Sequence, residues 1–224
     1  MQIKKNDVYT IEITDTGTQG EGIGRADGCA LFVKDALIGD VVQVKIMKVK
    51  KTYAYAKLEK VLSPSLFRVA PRCAYSRQCG GCQLQALSYE QQLRFKEGKI
   101  RNHLIRLGGL EPAAVDAARE PIIGMEEPWR YRNKAQFPFG TSKDGRVITG
   151  FYAGRTHTII ENTDCVLGVE ENREILERIL AHMEKYHISA YDETEGTGLV
   201  RHALIRKGFV SGQIMVCLVL NGDA

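Results

Sequence analysis

Four of the six cysteines set out the chemistry this chain can do. Cys73, Cys79 and Cys82 lie in the run C-A-Y-S-R-Q-C-G-G-C, and Cys165 stands far downstream. Cys-x5-Cys-x2-Cys plus one distant cysteine is the spacing of a soft-metal site. Four thiolates hold a 4Fe–4S cube, and Gly80 and Gly81 let the backbone turn tightly around it. Zinc competes, since four thiolates also suit it, but zinc sites usually offer two close pairs and here only Cys79 and Cys82 form one. Buried thiols without metal are the third reading. Disulfides are disfavoured, because the chain starts at Met1 with no basic-then-apolar leader and so reads as a protein of the reducing cytoplasm.

Charge supplies the second candidate surface. Net charge is only +4, but Lys45, Lys48, Lys50, Lys51, Lys57 and Lys60 fall in one short stretch against the single acid Glu59. From Trp129 to Arg146, five basic residues stand against Asp144 alone. Basic stretches interleaved with aromatics suit a nucleic-acid surface; two ordinary solvated faces are the plainer reading. The five histidines offer no metal pair at i, i+4, and His157 and His202 fall in strands. Glu126-Glu127 and Glu170-Glu171 sit at a loop and a helix start, where they favour solvent or the helix dipole. Cys29 and Cys217 lie in apolar strands and read as small core residues. No catalytic residue and no cofactor-binding residue is assigned.

These side chains must be positioned by two kinds of element. Residues 1–62 hold β-branched and aromatic runs at Val8–Ile13, Cys29–Val33, Asp40–Val49 and Tyr53–Val61, with turns at Gly17, Gly20, Gly22 and Gly24. Several short strands in so few residues suit a five-stranded barrel. The glycines are not a dinucleotide fingerprint, because their spacing is wrong and no helix follows. Ser63-Pro64-Ser65 marks a linker or a corner. After the cysteine loop, Ser88 with Gln91 resembles a capping box, opening a helix whose stripe is Leu93, Ile100, Leu104 and Leu107. A Pro-rich stretch (Pro112, Pro121, Pro128) leads to strands at Tyr131–Phe139, Val147–Tyr152 and His157–Glu161. A helix follows at Glu170–Tyr186, with Ile175, Leu176, Ile179, Leu180 and Met183 on one face. A strand pair at Leu199–Lys207 and Gln213–Leu220 closes the chain. Val216–Leu220 reads as a buried-type strand, and no apolar run is long enough to cross a bilayer.

In order and detail these motifs resemble the RNA uracil-5-methyltransferases that use S-adenosylmethionine, and in particular the 23S rRNA branch that carries an iron–sulfur cluster. T-G-x-x-G-E-G-I-G-R (residues 16–25) is similar to the family's TRAM domain, an RNA-binding module. Residues 73–85 are similar to its cluster loop, and Tyr131-Arg132-Asn133-Lys134-Ala135-Gln136 to the strand that follows. Asn162-Thr163-Asp164-Cys165 is similar to the segment bearing the fourth ligand, and Gly198-Leu199-Val200-Arg201-His202 to a late motif of the central domain.

The resemblance implies a mixed fold: an N-terminal small β-barrel (OB-like TRAM), then an α/β central domain with a mainly antiparallel sheet. It implies four segments: 1–62 the barrel, 63–85 the iron–sulfur loop, 86–120 a helical piece of the methyltransferase domain, and 121–224 the central RNA-binding domain. The Rossmann-like methyltransferase domain is expected to be absent or only begun, and the chain by itself inactive. The resemblance implies Cys73, Cys79, Cys82 and Cys165 as ligands of a 4Fe–4S cluster, with S-adenosylmethionine as cofactor of the complete enzyme. Its expected partner is RNA, 23S rRNA before tRNA, with no membrane and a monomeric state. Lys45, Lys48, Lys50 and Lys51 are expected on phosphates, and Arg130, Arg132 and Lys134 on phosphates or unpaired bases. The alternative is a non-catalytic RNA-binding iron–sulfur or zinc protein; a redox carrier is a third reading.

Overall fold

The computed structural model describes residues 3–222. The chain divides into two compact units: residues up to Pro71 with Gln83–Met125, and Arg72–Cys82 with the residues from Glu126 on.

The first unit is built on a closed five-stranded barrel. Its strands are β1 (Val8–Thr16), β2 (Gly22–Ala26), β3 (Cys29–Lys34), β4 (Val41–Val49) and β5 (Tyr53–Ser63), in the order β1-β2-β3-β5-β4. All pairs are antiparallel except β3 with β5. Alternation makes it: Val42, Val44 and Ile46 point inward with Ile13, Leu31 and Val33, all fully shielded, while Gln43 and Lys45 point out. Gly22 and Gly24, read from the sequence as turn glycines, lie inside β2. At Gly24 a Cβ would come 2.5 Å from the Glu12 carbonyl of β1, so strand approach, not turn geometry, demands glycine there.

The corner after β5 is pinned by charge. Buried Asp40 accepts bonds from the Leu37 and Ser65 N–H groups and from Arg68, whose Nε lies 3.0 Å away. Burial pushes the Asp40 carboxyl up, but these donors outweigh it and hold the group below the usual carboxylate range.

Helix α1 (Tyr89–Arg106) starts at Ser88 as expected, yet Ser88 makes no side-chain capping bond. Its stripe is not buried: Ile100, Leu104 and Leu107 are exposed. The Pro-rich stretch hides a short helix, α2 (Pro112–Ala118), with proline in its first turn. Bidentate bonds from Arg101 to Asp116 join the two helices.

The second unit is a five-stranded antiparallel sheet, order β10-β9-β6-β7-β8, with one helix packed on it. The strands are β6 (Lys134–Thr141), β7 (Val147–Tyr152), β8 (Ile159–Glu161), β9 (Val200–Lys207) and β10 (Ile214–Leu220); the helix is α3 (Glu171–Lys185). Leu176 and Met183 of α3 seal Phe137, Phe139, Ala203 and Ile205. Strand β6 begins three residues after Tyr131, because Arg130 takes a positive φ of 54° and Arg132 is bridged to Gly168 instead. The expectation that Val216–Leu220 is buried is corrected: every residue of β10 is exposed. It is an edge strand, and no described residue packs over it as α3 packs over β6 and β9. Among the described residues no helix is long and apolar enough to cross a membrane.

Candidate functional site

All three clustered cysteines and Cys165 fall in the second unit, each half-buried. The loop Arg72–Cys82 is a chain of tight turns, with the Ser76 N–H on the Cys73 carbonyl at 3.2 Å and the Cys79 N–H on the Tyr75 carbonyl at 2.8 Å. It docks on the turn after β7: Cys79 bridges to Ala153, and the Gly80 N–H donates to the Tyr152 carbonyl at 3.0 Å. The contact is close enough that a Cβ on Gly80 would lie 3.1 Å from both the Tyr152 carbonyl oxygen and the Gly154 Cα. Gly81 donates its N–H towards the Cys79 sulfur at 3.4 Å.

The downstream segment is held separately. Arg130 donates from one guanidinium nitrogen to Asp164 at 2.8 Å, to the Cys165 carbonyl at 2.9 Å and to the Gly168 carbonyl at 3.3 Å. The Gly168 N–H closes a turn on the same Cys165 carbonyl at 2.9 Å. A cleft of about 720 Å³ opens beside the two segments, lined by Arg72, Cys73 and Tyr75 on one side and Asn162 and Asp164 on the other.

Electrostatics couple Cys73 to Cys165 and Cys79. Burial pushes the Cys73 thiol up; the Tyr75 N–H bonded to it pulls the other way, and negative charge on Cys165 or Cys79 pushes it further up. No disulfide joins any of the six cysteines. Among the described residues no group of three or more histidine, cysteine or acidic side chains stands in an arrangement that holds a metal ion. The four thiols are of the donor type a soft metal takes, but the described residues do not gather them into a metal-holding group. Cys29 is buried in the barrel as expected; Cys217 is exposed on β10 and is no core residue.

The basic candidates separate into two groups. Lys45 and Lys48 project outward from β4, and Lys50 and Lys51 occupy the exposed β4–β5 turn. In the second unit Lys134 is exposed on β6 directly opposite Arg206 of β9, and Arg132 is half-buried with its N–H on the Leu167 carbonyl at 2.8 Å. Arg130 spends its guanidinium on the Cys165 segment. Arg72 lies over the Trp129 ring, 5.3 Å from its centroid. Of the histidines, His157 pairs with Glu193 and stacks on Tyr152, while burial and nearby Arg201 hold His202 below its ordinary pKa. The sequence reading did not single out Phe32, Tyr53 and Tyr55, which the barrel brings into one ring cluster. Their alternation is visible in the sequence, but their neighbours depend on which strands pair.

Comparison with known proteins places these features. Residues 2–58 match the TRAM domain family. Over 97% of the chain, the sequence is 45% identical to an RNA methyltransferase of Clostridium tetani, of which it covers 46%. It is 43% identical to one from Clostridium acetobutylicum over 99% of the chain and 47% of that protein. The chain thus spans about half the length of the curated relatives it matches. The fold is that of part of the Pyrococcus abyssi tRNA (uracil-54, C5)-methyltransferase, solved with S-adenosyl-L-homocysteine. The TM-score is 0.70 at 23% identity, over 96% of this chain and 46% of that one. This corrects the expectation of a methyltransferase domain absent or only begun. The likeness to that solved fold runs along 96% of the chain, not only through the helical piece at residues 86–120.

Proposed function

We propose that this chain provides RNA recognition within an S-adenosylmethionine-dependent RNA (uracil-5-)-methyltransferase whose target is 23S rRNA. The observation that carries the reading is the 45% identity to an RNA methyltransferase along 97% of the chain. The fold shared with a uracil-C5 methyltransferase supports it. The half-buried Lys45 and the exposed Lys48, Lys50 and Lys51 contact RNA phosphates, a sequence-blind and salt-sensitive contribution. Arg132 and Lys134 add a second basic patch, and Arg130 acts through the Cys165 segment it holds. S-adenosylmethionine supplies the methyl group when bound; none of the described residues is assigned to holding it. The target uracil must leave its stack for the reaction, so the chain's part is grip and orientation of unpaired RNA.

Within the same reading, Cys73, Cys79, Cys82 and Cys165 hold a 4Fe–4S cluster that ties the Arg72–Cys82 loop to the segment before α3. Its role is structural and RNA-orienting. Support comes from the Cys-x5-Cys-x2-Cys spacing and from the gathering of all four thiols in one unit.

Competition binding of 23S rRNA fragments against tRNA at fixed salt tests the target. Preference for the rRNA by about tenfold or more supports it. The reverse preference moves the target to tRNA, and absence of RNA binding removes the reading.

A further inference from the structure

On the outer face of the barrel, β3 and β5 run parallel and in register, so Phe32 stands opposite Tyr55 and Lys34 opposite Lys57. On the other side of β5, Lys45 of β4 also stands opposite Lys57, and Lys48 opposite Tyr55. Side chains at paired positions share a face, and here the inward positions are taken by Leu31, Val33, Ala54 and Ala56. One solvent-facing surface therefore carries Phe32, Tyr53 and Tyr55 at its centre with Lys34, Lys45, Lys48 and Lys57 beside them.

The rings form a single group. Phe32 and Tyr53 lie 5.3 Å apart at 75°, Tyr53 and Tyr55 5.4 Å apart at 90°, and Phe32 and Tyr55 6.0 Å apart. Edge-to-face packing fixes them against one another while Tyr55 stays 39% exposed. A fixed ring at the surface is a stacking partner that loses little freedom on binding.

The lysines are arranged at a cost. Like charges directly across a strand pair repel, and Lys57 faces such a neighbour on both sides. Its contact with Glu59, 3.4 Å between exposed groups, offsets little of this. A polyanion laid across the face relieves the repulsion. Phe32 also lines a groove of about 630 Å³ in the same unit, whose helical wall carries Arg94, Lys99 and Arg106. Aromatic rings flanked by cations on a barrel surface match an unpaired nucleic-acid strand, whose bases stack while its phosphates pair with lysine.

We propose that Phe32, Tyr53 and Tyr55 form a base-stacking platform for unpaired RNA, with Lys34, Lys45, Lys48 and Lys57 on its phosphates. The inference rests on RNA being the partner and adds the site where an unpaired segment is gripped by ring contact rather than charge alone. Salt dependence separates the two contributions, because stacking leaves the salt slope untouched while each phosphate contact adds to it.

The test is binding of a labelled single-stranded oligoribonucleotide by the full chain across a salt series, with melting curves as fold controls. Tyr55→Ala and Tyr55→Leu are expected to weaken binding roughly 5- to 100-fold with an unchanged slope, and Tyr55→Phe to keep wild-type affinity. The leucine variant retains apolar bulk should the alanine variant unfold. Lys57→Gln is expected to flatten the slope by about one. Wild-type affinity in both Tyr55→Ala and Tyr55→Leu, with weakened binding in Lys57→Gln, would overturn the platform and leave the RNA reading standing. Failure of the unaltered chain to bind any RNA would overturn both. Equal displacement by heparin and by single-stranded RNA would reduce the face to a general polyanion surface and overturn the proposal.

Discussion

In the barrel every strand has two neighbours, and Ile13, Leu31, Val42, Val44 and Ile46 are wholly shielded from solvent. In the second unit the sheet stops at β10, where Ile214 through Leu220 are all exposed although six of the seven are large apolar residues. Closure gives the first unit a sealed interior, so the lysines and the ring cluster proposed to grip RNA are carried on its outer face. The open sheet has an interior only where α3 covers it. Its four candidate thiols lie in two loops, the cysteine run pinned to the turn after β7 by backbone contacts and the Cys165 segment held by the Arg130 guanidinium.

The contrast can be broken most severely at the barrel corner. Asp40 accepts bonds from two backbone N–H groups and from Arg68 while wholly buried. Replacing it by alanine strands the Arg68 guanidinium and is expected to cost about 3–5 kcal/mol of stability, read from urea unfolding. The same group sets an acid limit. Because its folded pKa is below the unfolded value, its contribution is fully present above about pH 4 and is lost as pH falls through the folded value. Chemical denaturation between about pH 6 and pH 3 should show a shallower decline in Asp40→Asn than in the wild type, since only this group's share is removed.

Next in size is the interior itself. Ile46→Ala is expected to cost about 2–5 kcal/mol, whereas Leu218→Ala on exposed β10 should change stability by under about 1 kcal/mol. Equal losses at both positions would mean that β10 is as sealed as the barrel. Gly80→Ala should cost about 1–3 kcal/mol and lift the cysteine loop from the β7–β8 turn, seen as faster amide exchange at residue 80, whose N–H otherwise bonds the Tyr152 carbonyl. The smallest effect is expected from Val216→Lys with Leu218→Lys, which should leave the melting temperature nearly unchanged. The same pair should reduce self-association in sedimentation, since a charged edge resists strand pairing.

Alternation made much of this legible in advance. Val42-Val44-Ile46 announces a strand with one sealed face, and Ile175, Leu176, Ile179, Leu180 and Met183 announce the covered side of α3. What alternation cannot supply is pairing. Gly22 and Gly24 look like turn residues until β1 is seen pressed against them. Val216–Leu220 looks buried because apolar composition says what a strand would prefer, not what lies beside it. Arg130 has the composition of a nucleic-acid contact, yet its bonds go to Asp164 and to the Cys165 and Gly168 carbonyls, partners 34 to 38 residues away in sequence. The cysteine spacing was visible at once, whereas the docking of their loop on Tyr152–Gly154 needed the fold.

The central claim is that four thiols from two segments of one unit form a single metal site in an RNA-recognising chain. Anaerobic purification followed by iron, acid-labile sulfide and zinc assays tests it most directly. The account predicts about four irons and four sulfides per chain, lost together in Cys165→Ser. One zinc without sulfide, or no metal at all in protein that still binds RNA, would contradict it.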